Sequence, residues 1–209
     1  MIISRAWGLV NKSTFKCKPI RDFVLRYMGD GTGWLDPFAG ESSWAEERND
    51  LNPERPAQYH LDAVDFLKLF ATQTIRGVIF DPPYSLHEVS RHYKDFGIEH
   101  WMKQDPTGGF FHVRDEIARV LKPGGIALSF GWSSGGMGKV RGFEQVEILL
   151  VNHGGARYDT ICVAERKLEG SSDNSGLRVA RGPTTEADIP VDAAPEDAAD
   201  ADRGCPCIQ

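Results

Sequence analysis

Long hydrophobic runs are missing from this 209-residue chain. No stretch of about 18 apolar residues occurs, so no membrane-spanning helix is expected. The first ten residues lack the uninterrupted apolar core of a secretory signal, and a cytoplasmic location is the expectation. Cysteine is scarce, with four residues in all, and none is placed like a metal ligand. Cys162 stands in an apolar run and reads as a small core residue. Cys205 and Cys207 form a Cys-Pro-Cys without a companion pair of histidines, so no metal is expected. The fourth residue from the end is Pro206, where prenylation would require cysteine. An excess of basic charge is also absent: 24 Lys+Arg against 30 Asp+Glu leave a net charge of -6, which argues against a broad electrostatic grip on a polyanion.

What is present suffices for one ordinary core. The chain is 41% hydrophobic and 10% aromatic, and its length accommodates one full-sized domain with an appendage. Its charge is unevenly spread. Residues 169–209 hold nine acids and three bases, so residues 1–168 are formally neutral and the whole deficit lies in the tail. That tail is rich in Ala, Asp, Pro, Ser and Gly. It has too few large apolar side chains to offset the entropy of ordering, and residues 169–209 are expected to be a disordered acidic tail.

Between Pro19 and Lys167 short apolar runs alternate with helical spacing. Residues 21–28 predict a helix ended by Gly29 and Gly31, and residues 33–38 a short strand entering a turn. Residues 62–70 predict a helix with Val64 and Leu67 inward. Residues 76–81 read as a buried strand cut off by Pro82 and Pro83. Residues 113–121 predict an amphipathic helix stopped at Lys122-Pro123-Gly124-Gly125, with the next strand at 126–130. Residues 146–152 and 158–165 pair across Gly154-Gly155 as an antiparallel hairpin. The alternation predicts an α/β fold, a mostly parallel sheet with one antiparallel edge. Ligands of such sheets sit beyond the carboxyl ends of the strands, so the residues that end strands are the candidates.

Asp81-Pro82-Pro83-Tyr84-Ser85 is the sharpest of these. A carboxylate at a strand tip is followed by two prolines that stiffen the backbone and withhold both N–H donors, leaving neighbouring carbonyls as acceptors beside a flat aromatic. Rigid acceptors next to a stacking face suit a planar heterocycle that carries an amino group. A plain Pro-Pro turn with an exposed Tyr is the alternative. In Asp36-Pro37-Phe38-Ala39-Gly40 the glycine permits close approach of a ligand, although acidic-Pro-aromatic turns are common. Asp50 either accepts two ribose hydroxyls or caps a helix, and Asp62-Ala63 either touches an amino group or merely opens its helix. The segment after Ser85 interleaves His87, Arg91, His92 and Lys94 with Tyr93 and Phe96. It reads as a lid that touches phosphates or as a charged helix with an aromatic face. Residues 133–141, with three glycines plus Lys139 and Arg141, are a second candidate for backbone contact or a flexible loop.

In their order these pieces resemble the S-adenosylmethionine-dependent DNA amino-methyltransferases, in particular small phage-type adenine-specific (N6) enzymes. The matching stretches are Phe15-Lys-Cys-Lys-Pro-Ile20, Asp36-Pro-Phe-Ala-Gly40, Asn49-Asp-Leu-Asn-Pro53, His60-Leu-Asp-Ala-Val-Asp-Phe-Leu67, Asp81-Pro-Pro-Tyr-Ser85 and Lys122-Pro-Gly-Gly125, and together they cover residues 1–167. The resemblance implies a Rossmann-like class I methyltransferase fold over residues 1–168 with an antiparallel C-terminal hairpin. It implies S-adenosylmethionine as cofactor and DNA as partner, in the host cytoplasm if the gene is a phage's. Lys18 and Pro19 would close over the methionine end of the cofactor, and the turn of Asp36, Phe38, Ala39 and Gly40 would cradle methionine and ribose. Asp50 would hold the ribose hydroxyls, with Asp62 and Ala63 at the cofactor adenine. Asp81 and Pro82, with Pro83, would accept hydrogens from the target amine, Tyr84 would stack on the extruded base, and Ser85, His87, Arg91 and Lys94 would touch the substrate. The same pocket suits N4 of cytosine. Guanine-N2 methylation of ribosomal RNA is a further alternative, and a non-catalytic nucleic-acid or cofactor-binding protein is the alternative of another class.

Two departures stand out. Ser42 occupies the position of the usual second glycine, and only ten positions separate Gly40 from Asp50, too few for a helix plus a strand. The first crossover helix is therefore expected to be truncated or absent. The sheet would then lack cover on one face, which a second copy of the chain could supply as a homo-oligomer. No separate target-recognition domain is expected either, so sequence specificity should be short, lax or dependent on another protein.

Overall fold

The computed structural model describes residues 1–9, 13–83, 110–155 and 158–170. Internal contacts divide the chain into Met1–Gly176 and Leu177–Gln209. The second unit, and all of the expected acidic tail beyond residue 170, lie outside the described residues.

Seven strands form one sheet: β1 (Ile2–Trp7), β2 (Trp34–Asp36), β3 (Glu47–Arg48), β4 (Ile75–Phe80), β5 (Leu121–Gly131), β6 (Phe143–Asn152) and β7 (Thr160–Lys167). Their spatial order is β1-β6-β7-β5-β4-β2-β3. All neighbours are parallel except those of β7, which runs antiparallel to both β5 and β6. This is the doubly wound, Rossmann-like sheet with an antiparallel C-terminal hairpin. One detail differs from the sequence expectation: the antiparallel strand is interior, not at an edge. The edge is β1, which the sequence reading missed, and it pairs in parallel with β6 from Ile2 opposite Glu147 to Trp7 opposite Asn152.

Helices cover both faces. On one lies α1 (Lys18–Met28), whose Ile20, Phe23, Val24 and Met28 form the buried stripe of a 3.6-residue period. It starts three residues earlier than periodicity suggests, because Pro19 lies in its first turn, where a missing N–H is harmless. Its stripe packs with Phe130, Leu149, Val151 and Cys162. On the other face α2 (Ala63–Lys68) and α3 (Phe111–Val120) bury Phe66, Leu67, Val113 and Ile117 with Leu35, Val78, Phe80 and Ala127. The Lys122-Pro-Gly-Gly stop lies within β5 as an irregular start. There the register jumps from Ile75 opposite Leu121 to Gly77 opposite Ile126.

No helix occurs between β2 and β3, as the short spacing foretold. The sheet is nevertheless not left open at that point. Trp34, Leu35 and Ile79 are each no more than 1% exposed. Ala45 from the shortened connection, and Phe15 stacked 5.3 Å from Trp44, fill the place of a crossover helix. The uncovered face that suggested a partner subunit is thus absent at β2 and β4. Nor are residues 133–141 a free loop. Met137 is buried, and the Glu165 carboxylate, itself fully buried, accepts the backbone N–H groups of Met137 and Gly138. Arg141 pairs with Asp115 at 2.7 Å and is not available to a phosphate.

On β4 the glycine at 77 has a steric reason. A Cβ there would stand 2.4 Å from the indole of Trp34, its register partner on β2. Gly77→Ala is expected to lower stability by about 1–3 kcal/mol through overpacking. Urea denaturation would read this as a lower midpoint with an unchanged slope, and Trp34→Phe in the same chain should restore part of the loss.

Candidate active site

The parallel strands all end at one edge of the sheet, and the chain reverses its winding direction between β2 and β4. Asp36 ends β2, Asn49 and Asp50 follow β3, and Asp81 follows β4. The crevice at such a switch point is where open α/β sheets bind ligands.

Asn49, which the sequence reading passed over, organises this edge. Its amide donates to the carbonyls of Pro37 (3.1 Å) and Leu61 (2.9 Å), and its Oδ1 accepts the N–H of Leu61 at 2.9 Å. Its backbone N–H donates to the Asp36 carbonyl, and its own carbonyl accepts from the N–H of Ala39. Tyr59 pairs with it in a single parallel bridge, the remnant of a further strand. The end of β2, the end of β3 and the entrance to α2 are thereby held together with no crossover helix. An Asn following a short polar strand carries no distinctive sequence signal, so only its contacts reveal it.

Asp50 and the turn at residues 36–40 come together as expected. The N–H of Gly40 donates to Asp50 Oδ2 at 2.8 Å, and that of Asn52 to Oδ1 at 2.9 Å. Gly40 has a φ of +56°, and a Cβ there would meet nothing within 4 Å. Open space thus faces a backbone that an L side chain rarely adopts, which leaves a cradle a ligand can approach. Ala39 is buried. Phe38 is half-buried and stacks edge-on with Phe80 at 5.9 Å and with Phe110 at 5.4 Å.

Asp36 is fully buried. Its Oδ1 accepts the N–H of Phe38 at 3.2 Å, whereas Oδ2 has no hydrogen-bond partner. Burial raises its pKa well above the ordinary carboxylate range. The Phe38 N–H opposes this shift, and the charges of Asp81 and Asp50 reinforce it. Asp81 itself is half-buried, with Pro82 buried and Pro83 half-buried behind it.

The other expected residues are placed as follows. Asp62 caps α2, its Oδ1 accepting the N–H of Val64 at 2.9 Å, and the side chain of Ala63 is buried in the core. Lys18 is exposed and pairs with Asp22, and Pro19 is half-buried in the first turn of α1. Tyr84, Ser85, His87, Arg91 and Lys94 lie outside the described residues.

These features fit an adenosine-bearing cofactor with a cationic end. Asp50 offers a half-buried carboxylate beside the open Gly40 turn. Asp36 offers a buried oxygen without a hydrogen-bond partner, which an N–H donor from a ligand would satisfy.

Neither protein-family models nor curated proteins match this chain. Among solved structures, TrmN from Thermus thermophilus is 19% identical over 73% of this chain, with a TM-score of 0.47. The chain spans only 49% of its length. N-methyltransferase NodS from Bradyrhizobium japonicum WM9 is 12% identical over 77% of this chain and 100% of its own, with a TM-score of 0.48. The 1,6-didemethyltoxoflavin-N1-methyltransferase of Burkholderia thailandensis, solved with S-adenosylhomocysteine, is 14% identical over 73% and 78%, with a TM-score of 0.47.

Asn49→Ala removes three side-chain hydrogen bonds and strands their partners. A loss of about 2–4 kcal/mol is expected in chemical denaturation, larger than for Asn52→Ala. Asp36 gives a pH signature. Because its folded pKa is raised, its stabilising contribution is complete below the ordinary aspartate range and is lost as pH rises through the folded value. Wild type should therefore lose stability relative to Asp36→Asn over the range of pH that rises from the ordinary aspartate value, about 4. Parallel melting curves for the two proteins across that range would contradict the assignment.

Proposed function

We propose that this chain is a methyltransferase that binds S-adenosylmethionine across the β2/β4 crevice and methylates the N6 amino group of adenine in DNA, acting on an extruded base. The observation that carries this reading is the meeting, at one switch point, of the Gly40–Asp50 cradle and the Asp81-Pro82-Pro83 strand end.

When bound, the cofactor supplies an electrophilic sulfonium methyl. Asp50 would receive the ribose hydroxyls, and Asp36 Oδ2 the ammonium of the methionine end. Asp62 and Ala63, Phe38 and Ala39, and Lys18 with Pro19 would border the same ligand. On the substrate side, an aromatic amine is a poor nucleophile because its lone pair is delocalised into the ring. Asp81 and the Pro82 carbonyl would accept its two hydrogens and draw the nitrogen toward tetrahedral geometry, which localises the lone pair on the cradle side. Methyl transfer would form the N–C bond as the methyl–sulfur bond breaks and a neutral thioether leaves, and the Asp81 carboxylate would take the proton that the nitrogen then sheds. Pro82 and Pro83 keep those acceptors rigid, since neither can donate or rotate about φ. Tyr84 would stack on the base, and Ser85, His87, Arg91 and Lys94 would contact its surroundings. A duplex base presents its amine edge-on, so it must first leave the stack, at a cost of a few kcal/mol.

Asp81→Ala should lower tritiated methyl transfer into adenine-containing DNA by about 100-fold or more, while S-adenosylmethionine affinity by calorimetry stays within about tenfold. Equal loss of both would refute the assigned role. Transfer into oligonucleotides whose only amino-bearing base is cytosine, with none into adenine, would move the target to N4 of cytosine.

A further inference from the structure

Large aromatic side chains lie exposed along the carboxyl edge of the sheet beyond the candidate site. Trp132 follows β5, Tyr158 precedes β7 and Trp7 ends β1, with exposures of 49%, 75% and 63%. Trp132 and Tyr158 are in contact as a tilted pair, with ring centroids 4.9 Å apart and planes at 55°. Trp7 borders the β6–β7 turn, its Nε1 lying 3.7 Å from where a Cβ on Gly154 would stand. That turn is anchored: the His153 ring bonds to the Gly8 carbonyl at 2.8 Å and to Thr160 Oγ1 at 2.9 Å. Asp159, beside Tyr158, turns its carboxylate back toward the His153 N–H.

Strand order puts these groups in a row. From Asp81 at the end of β4, the next strand ends carry Trp132, Tyr158 and, past β6, Trp7. Four strand spacings cover roughly 19 Å, the length of several nucleotides stacked at about 3.4 Å each. Exposed indole and phenol rings along the same edge as Asp81 offer π-faces to bases. A base pair in a duplex shows its edge, and only unpaired bases can present their faces to such rings. With residues 1–168 formally neutral, no surplus of positive charge favours a broad grip on phosphates.

We propose that Trp132 and Tyr158, extended by Trp7, form a stacking platform for unpaired nucleotides of DNA that flank the reacting base, so that the substrate is single-stranded or locally opened DNA. This rests on the reading above in taking DNA as the partner and the end of β4 at Asp81 as the place of the reacting base.

The test is binding of the full-length protein to oligothymidylate, which has no exocyclic amine and cannot accept a methyl group, followed by quenching of tryptophan fluorescence. Wild type should bind and be quenched. Trp132→Leu and Tyr158→Leu, with melting temperatures and S-adenosylmethionine affinity like those of wild type, should each bind about tenfold more weakly or worse. Duplex of the same length should bind less well than the single strand. No binding of oligothymidylate, binding unchanged in both variants, or equal affinity for duplex would each overturn the platform. Should a variant fail to fold, Trp132→Phe and Tyr158→Phe, which keep a ring, should retain binding within about threefold, and loss in these folded variants would count against stacking. Methyl transfer is scored separately. Transfer to adenine without oligothymidylate binding removes this inference and leaves the enzymatic reading, and binding without transfer does the reverse.

Discussion

Between Asp36 and Asp62 the chain makes two parallel connections without a helix, and the amide of Asn49 is what holds them. A parallel connection normally takes a dozen or more residues and a helix that packs back on the sheet. Here β3 has only two residues and the strand beyond it survives as one bridge at Tyr59. Propensity and burial cannot fix segments that short. Side-chain hydrogen bonds from one buried amide to Pro37 and Leu61 supply the missing constraint, and they act at the point where the cradle of Gly40 and Asp50 is assembled. The rest of the site inherits its geometry from this knot.

The knot also gathers negative charge. Asp36, Asp50 and Asp81 approach closely enough that the latter two disfavour ionisation of the first. Burying a carboxylate with one oxygen unsatisfied is unfavourable unless a donor is supplied from outside. A site of this kind is poorly satisfied when alone and becomes well satisfied by a ligand with ammonium and hydroxyl donors.

The opposite end of the sheet shows a different economy. Glu147, buried on β6, accepts from Tyr27 at 2.7 Å and Arg26 at 2.8 Å, and the tyrosine pKa is raised to about 12, chiefly by burial. Glu165 grips the connection after β5 in a similar way. Buried carboxylates that bind N–H, O–H and guanidinium groups of the chain itself lock α1 and residues 133–141 to the sheet. At the opposite edge Asp36 Oδ2 has no hydrogen-bond partner. That contrast separates structural acids from candidate functional ones.

Sequence alone determined the elements whose signal is local. The apolar, β-branched β4 stopped by two prolines, the amphipathic stripe of α3, the hairpin of β6 and β7 and the shortened first connection were all legible, because periodicity and proline act within a few residues. It also picked out Asp36, Gly40, Asp50 and Asp81 as strand-ending residues. Only the tertiary structure decided what depends on long-range pairing. An edge strand such as β1 draws its definition from β6 more than 140 residues away, and β7 takes an interior place by inserting between its hairpin partner β6 and β5. Asp62 could be seen as a helix opener, but its capping bond needed coordinates. The cover over Trp34 came from Phe15, Trp44 and Ala45, and the role of Asn49 from carbonyls on two other segments. Those contacts are fixed by packing in three dimensions, which leaves no periodic trace along the chain.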